Sequence, residues 1–385
     1  MSRSTEMLSL CELLPDNVVF DILTRLPVKS LIRFRCVSQS WNSTITNPIF
    51  ITKHLDLAYS LSNINNNGYL LFTPLRNFLD PTPSQEWTTF VCNINRTLTQ
   101  ISKFEIPFPN DLIGFCNGMF CLAAYNDDSD EEDLRRSLYL WNPSIRKLKK
   151  LIATRPSDRA IFGFGYHPQN NDYKILRVTF AVQRVTRKPA EAEVYTLSTD
   201  SWRKAVISVE SFSGSDSGPN GSVDQVYLPT RLSFNGALHF IAFSGDHKFI
   251  LSFDINDERF REILLPQNYL EGIVKHFERL AMFRGSLALI VFGEDLLEMS
   301  DICHIWVMKE YGVVESWARK SVPMKRVAEF FSCTINGELL IERLTPYQSF
   351  LFDPESLNEK ILSIPMPECM IYTPNFVESL VLLDR

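Results

Sequence analysis

The sequence predicts a mainly β fold, in which a small N-terminal unit of three helices precedes a β-propeller of six four-stranded blades. Three observations carry this reading. Apolar residues recur at helical spacing between Leu13 and Ile45, which marks helices with one apolar face. From Tyr69 onward the period changes to alternation, the mark of half-buried strands. Hairpin signals of the Asn-Gly kind then return at a spacing near the roughly 40 to 50 residues of propeller repeats.

In the first helix Pro15 suits the opening position, where its missing N–H costs nothing, and Asp16 favours the positive end of the helix dipole. Val18, Val19, Ile22, Leu23 and Leu26 recur at helical spacing, and Pro27 stops the run. A second short helix turns Leu31 and Phe34 inward. Ser38 can cap a third, which carries Trp41 and Ile45 until Pro48 ends it. Residues 56–68, closing on SLSNINNNG, read as a linker. Three short helices cannot bury enough apolar surface to stand comfortably alone, so the unit is expected to dock on something.

Beyond the linker, four segments share a glycine turn followed by alternating apolar residues: Cys116 to Leu122, Phe234 to Phe240, Phe283 to Leu289 and Ile335 to Ile341. Asn-Gly suits a type I′ turn, which needs positive φ at both central residues. Each segment is followed by a second hairpin, and a fifth unit from 161 keeps the layout without the signal. Residues 69–106 offer three further strands, and ESLVLL at 378–383 offers one. The total of twenty-four divides into six blades, with the C-terminal strand closing the ring and removing its open edges.

The net charge of −6 and isoelectric point near 5.6 argue against a general nucleic-acid binder, which needs a basic footprint for phosphates. No signal peptide and no apolar run of membrane-spanning length is read, so the expectation is an intracellular protein of the cytoplasm, the nucleus or both, with no membrane partner. The eight cysteines form no CxxC pair and read as free thiols. The six histidines show no zinc spacing, and no GxSxG elbow or phosphate-binding loop is present, so no catalytic residue, metal or cofactor is assigned. The acidic run from Asp127 to Asp133, the basic residues Arg184, Arg187 and Lys188, and the Ser- and Gly-rich stretch 208–224 read as solvated loops. Trp141, Trp202, Trp306 and Trp317 fall inside hairpins and read as blade packing.

The run from Leu13 to Ile45 resembles the F-box of plant F-box proteins, through Leu14-Pro15, Ile22-Leu23, Arg25-Leu26-Pro27, Lys29-Ser30-Leu31, Arg33-Phe34, Cys36-Val37 and Trp41. The segments GFCNGMFCL, LYLWNPSIRKLKKL and FGFGYHPQNNDYKILRV are similar to the kelch-like F-box-associated domain that follows it in many plant proteins. The resemblance implies an F-box at 9–55, the linker at 56–68 and a substrate-binding propeller at 69–385. It further implies that Leu14, Pro15, Ile22, Leu26, Pro27 and Leu31 face a Skp-type adaptor or brace that face, and that Trp41 holds the third helix. Through the adaptor the chain would join a cullin, as the non-catalytic substrate receptor of an SCF-type ubiquitin ligase acting on a protein that the sequence does not name. Two other readings stand beside it: an F-box scaffold working outside ubiquitin ligation, and a propeller lectin or enzyme decorated with helices.

Overall fold

The computed structural model describes residues 14–62, 68–74, 85–92, 98–106, 110–124, 137–151, 160–180, 189–208, 223–227, 232–344, 347–362, 364, 367–373 and 377–382. Four helices come first: α1 Asp16–Thr24, α2 Val28–Phe34, α3 Gln39–Thr46 and α4 Pro48–Ser62. The first three lie where the periodicity places them, and Ser38 Oγ caps α3 by accepting the Trp41 N–H at 3.1 Å. The fourth is a correction. Pro48 opens a helix instead of ending one, and the segment read as a linker is helical as far as Ser62. Proline suits the first helical position because its missing N–H has no intrahelical partner there, and Asn47 Oδ1 accepts the Ile49 N–H at 2.8 Å. Phe50, Ile51 and Leu55 are buried on the inner side of α4, where Phe20 meets Phe50 edge-on at 5.2 Å. His54 Nε2 donates to the Leu26 carbonyl just past α1 at 2.9 Å, and burial holds its pKa below the usual value.

The described strands form six antiparallel sheets, one per blade. Blade 1 takes Gly68–Pro74, Gln85–Cys92 and Leu98–Ile106; blades 2 to 6 lie within 110–151, 160–205, 225–264, 273–323 and 329–361. Asn117-Gly118, Asn235-Gly236 and Arg284-Gly285 all have both residues at positive φ, as a type I′ turn requires. The fourth signal builds a different turn. There only Gly337 has positive φ, and the loop closes through the Thr334 N–H donating to the Glu338 carbonyl at 2.8 Å. Blade 4 gains a strand because its inner edge is split into Gln225–Val226 and Leu232–Phe234, both paired with Ala237–Ser244.

The ring closes through Pro367–Thr373, which pairs antiparallel with Gly68–Pro74 and gives blade 1 its inner strand. This corrects the expectation that Glu378 to Leu383 is the closing strand. Met370 of the closing strand is buried with Leu70 of blade 1 and with Leu340 and Leu351 of blade 6, so it joins first blade to last. The segment from Val377 to Leu382 is not a strand, and its apolar pattern has another cause. Leu380 is wholly buried among Leu23, Val28, Leu31, Ile45 and Phe50 of the helical core, while Leu382 is buried with residues of blades 2 and 3.

Polar contacts fix this tail from both sides. The Asn142 amide donates to the carbonyls of Ser379 at 2.9 Å and Val381 at 2.8 Å, and its oxygen accepts the Ser144 N–H at 2.9 Å. Gly118 lets the tail pass, since a Cβ there would clash with the Val377 carbonyl. On the helical side, Glu378 Oε2 accepts the Val28 N–H in the first turn of α2 at 3.1 Å. Pro27 precedes that helix and has no side-chain acceptor, so the cap comes from 350 residues away. Asn142→Ala should destabilise the protein by about 2 to 3 kcal/mol, because it strands two buried carbonyls. A fall in unfolding free energy of about a few tenths of a kcal/mol or less, measured by denaturant titration, would show that the tail is held by its apolar contacts alone.

The tail, the blade-2 turn that contributes Ile145 to the helical core, and the blade-3 turn whose Asn171 donates to Thr52 all lie on one face of the ring. The helices therefore sit on the face that carries the turns between first and second, and third and fourth, strands of each blade. Among the described residues the other face carries the second-to-third turns of blades 4 and 5 and the connections from blade 4 to blade 5 and from blade 5 to blade 6. The acidic run 127–133, the residues Arg184, Arg187 and Lys188, and positions 209–222 of the Ser- and Gly-rich stretch lie outside the described residues.

Between blades 4 and 5, His239 is fully buried and bonded to the Tyr311 hydroxyl at 2.7 Å. Burial drives its pKa from 6.5 to about 4. Because the unfolded chain takes up this proton first as pH falls, the stabilisation is complete above about pH 6.5 and is lost progressively toward pH 4, by about 3 kcal/mol. Urea midpoints measured between those limits should follow that slope, and His239→Gln should flatten it. An unchanged slope in the variant would assign the acid sensitivity to other groups.

Candidate docking surfaces

Successive residues of an α-helix turn by about 100°, so the apolar positions of α1 divide between two faces. Leu23 is buried, and Val19 and Phe20 are half-buried against the helical core, as is Leu26 just past the helix. Val18 and Ile22, four apart on α1, point the other way and are 37% and 48% exposed, and Leu14, two residues before the helix, is 52% exposed. Pro15 is exposed beside them, and Val37, at the end of α2, is 62% exposed. Exposed apolar side chains gathered along one side of the start of the helical unit form a ready docking edge.

The structure thus separates the residues expected at this surface. Leu14, Pro15, Ile22 and Pro27 are exposed, Leu26 is half-buried, and Leu31 is wholly buried and can act only as a brace. Val18 was missed as an outward residue because its spacing also fits the inner face; the four-residue step from Leu14 to Ile22 is the signal that would have found it. Trp41 packs against Phe34 at a centroid distance of 5.4 Å and ties α3 to α2.

On the ring, a cleft of about 770 Å³ opens between the outer parts of blades 4 and 5. Leu264, Pro266, Leu270 and Val314 supply its apolar lining, and Lys248 and Tyr269 its polar one. Trp317 Nε1 donates to the Leu264 carbonyl at 3.0 Å and holds the wall. Lys248 bonds the Tyr269 hydroxyl at 2.8 Å and pairs with buried Glu278 of blade 5. Burial lowers the Lys248 pKa. For Glu278 burial acts to raise the pKa, but the two lysines beside it outweigh burial and hold it low. This is a structural ion pair between blades, and a binding surface is what the cleft offers chemically.

Among the described residues no group of three His, Cys, Asp or Glu side chains is placed to hold a metal. His304 Nδ1 lies 2.8 Å from Ser321 Oγ, within one sheet. Cys116, Cys121, Cys303 and Cys333 are free, and burial raises their pKa values, which leaves them unreactive, whereas Cys36 is exposed. Trp141 is buried against Phe120 at 5.1 Å, a blade-packing role. No helix among the described residues is long and apolar enough to cross a membrane.

Comparison with known proteins finds two family matches along the chain. The F-box domain model matches residues 11–53, and the model of the F-box associated beta propeller domain matches residues 88–366. The F-box protein At3g07870 of Arabidopsis thaliana is 30% identical over 343 residues, which cover 80% of this chain and 72% of the relative. The F-box/kelch-repeat protein At3g23880 of the same species is 28% identical over 318 residues, covering 80% and 78%. Among solved structures, an α-L-arabinanase of Penicillium chrysogenum aligns over 67% of this chain and 80% of its own, at 11% identity and a TM-score of 0.41, too distant to bear on fold or activity.

Proposed function

Because the chain belongs to the F-box proteins that carry an F-box-associated β-propeller, we propose that it is the substrate-recognition subunit of an SCF-type cullin ubiquitin ligase. The observation that carries this reading is the outward stripe of Val18 and Ile22 on α1, with Leu14 just before it. It is an apolar edge that the protein's own core leaves uncovered, at the place where the family docks a Skp-type adaptor. Pro15 and Pro27 flank the adaptor surface, and Leu26 and Leu31 brace it from beneath. The adaptor in turn brings the cullin.

Function then follows from distance alone. The helices occupy one face of the ring, and the opposite face would hold a target protein. Holding a target beside an activated ubiquitin raises its effective concentration, so this chain contributes binding surfaces and no catalytic residue. The domain division follows the same logic: the adaptor-binding unit spans 9–55 and continues into α4, and the substrate-binding unit is the ring. Cytoplasm and nucleus are the proposed sites of action.

Affinity purification of the intact chain tests the reading. The adaptor and the cullin are expected to co-purify with it, and proximity labelling under proteasome inhibition should enrich ubiquitinated proteins. Recovery of the adaptor without any cullin would sink the ligase reading and favour a scaffold.

A further inference from the structure

One turn on the face of the ring opposite the helices breaks the chain's own pattern. Three tight turns share a design in which an aspartate accepts the N–H two residues on: Asp254 from Asn256 at 2.8 Å, Asp353 from Glu355 at 3.0 Å, and Asp295 from Leu297 at 2.8 Å. The first two carry Asn256-Asp257 and Glu355-Ser356 at their tips, with Glu258 and the exposed Leu357 closing the turns, on the face that holds the helices. The third, in blade 5 on the opposite face, carries Leu296, Leu297 and Met299, which are 53%, 93% and 72% exposed. Turn chemistry does not ask for these residues. Met299 takes positive φ, as Glu258 and Leu357 do at the same place in their turns, so what sets the blade-5 turn apart is the adjacent pair Leu296 and Leu297 at its tip.

The turn is rigidly held and is joined to the cleft. Asp295 also accepts the Glu298 N–H at 2.9 Å, and the Met299 N–H bonds the Asp295 carbonyl at 2.9 Å. The Leu296 N–H donates to the Gly272 carbonyl at 3.0 Å, which sets the turn against Leu270 and Val274, themselves 36% and 51% exposed. Leu270 lines the cleft. The result is a run of apolar side chains from the cleft wall to the turn tip, held in place before any partner arrives.

Carboxylates are interleaved with the strip's own residues. Glu271 and Glu298 are exposed and Glu294 is half-exposed. Of the cations nearest Val274 and the cleft wall, Lys248 and Lys275 pair with Glu278 and His276 lies 3.7 Å from Asp301, while Lys325 and Arg326 are exposed beyond Met324, whose N–H bonds the Asp301 carbonyl. An acidic rim around an apolar strip is complementary to the opposite arrangement. We propose that Leu270, Val274, Leu296, Leu297 and Met299 form the target-docking strip of the ring, and that it takes a protein segment whose apolar side chains are flanked by lysine or arginine. This deepens the ligase reading by naming the class of target and the place it binds.

The test is selection of a random peptide library on the intact chain purified with its adaptor. Enriched peptides are expected to combine apolar residues with Lys or Arg. They should bind the double variant Leu297→Asp, Met299→Asp at least about tenfold more weakly, since such anchors carry most of an interface's energy, and should weaken as salt is raised and the rim is screened. No enrichment, enrichment of acidic peptides, or equal binding to the variant would overturn the proposal. So would a dimer, seen by sedimentation, that the double variant dissociates, because the strip would then face a second copy. Retention of adaptor and cullin by the variant separates the two claims: the strip can fail while the ligase reading stands, and loss of the cullin from the unaltered chain would do the reverse.

Discussion

A chain ending at Met366 should lose its cooperative unfolding transition and aggregate, because it lacks the strand that closes the ring. Pro367–Thr373 pairs with Gly68–Pro74 over six residue positions. Removing it unpairs about five ladder hydrogen bonds worth roughly 1 kcal/mol each, and takes away the burial of Met370, worth about 2 kcal/mol. That sum, about 7 kcal/mol, is comparable to the whole stability of a typical domain, roughly 5 to 15 kcal/mol. It also bares the edge of Gly68–Pro74 in blade 1, which invites pairing with other molecules. A chain ending at Asn375 is the informative companion. It keeps the closing strand but loses Leu380, Leu382 and the Glu378 cap on α2. Its β signal in circular dichroism should persist, while limited proteolysis should cut within the helices, which have lost part of their core. If the shorter truncation behaves like the longer one, the tail is part of the ring's own stability. If the longer one melts cooperatively, Pro367–Thr373 does not close the ring.

Replacing Leu14, Val18 and Ile22 together by Asp should reduce adaptor binding by roughly a thousandfold or more, about 4 kcal/mol, as expected when three apolar anchors are lost and charges are buried in their place. The thermal midpoint should hardly move, because all three side chains are already 37% to 52% exposed. Leu31→Ala supplies the contrast. That side chain is 0% exposed, so its truncation should cost about 2 to 5 kcal/mol of stability, and weaken adaptor binding only in proportion to unfolding. Binding measured by calorimetry on folded material distinguishes the two. Full-strength binding by the triple variant would place the adaptor on another surface, and the exposed stripe of α1 would need a different partner.

The features that a single stretch of chain controls were legible in the sequence. The first three helices follow from apolar period, Ser38 and the prolines. The turns at Asn117 and Asn235 follow from the positive φ that Asn-Gly tolerates, and the blade arithmetic, one strand short at the start and one to spare at the end, follows from alternation. Even there the local signal has limits. Pro48 serves equally to stop one helix or to start another, and only the burial of Phe50, Ile51 and Leu55 against α1 decides for the start. The apolar residues of α1 are likewise equivalent on paper. The core takes Leu23 and leaves Ile22 outside, because a helix side can be covered only where another element lies.

The end of the chain shows the division most clearly. PECMIYT and ESLVLL are both short apolar runs, and either could have been the closing strand. Which of them pairs with Gly68–Pro74 depends on where the sixth blade leaves the chain, and which enters the helical core depends on Asn142, Gly118 and the uncapped start of α2. Those partners lie hundreds of residues away. A sequence states which residues must leave water, but the choice of what they are buried against belongs to groups that only the folded chain brings together.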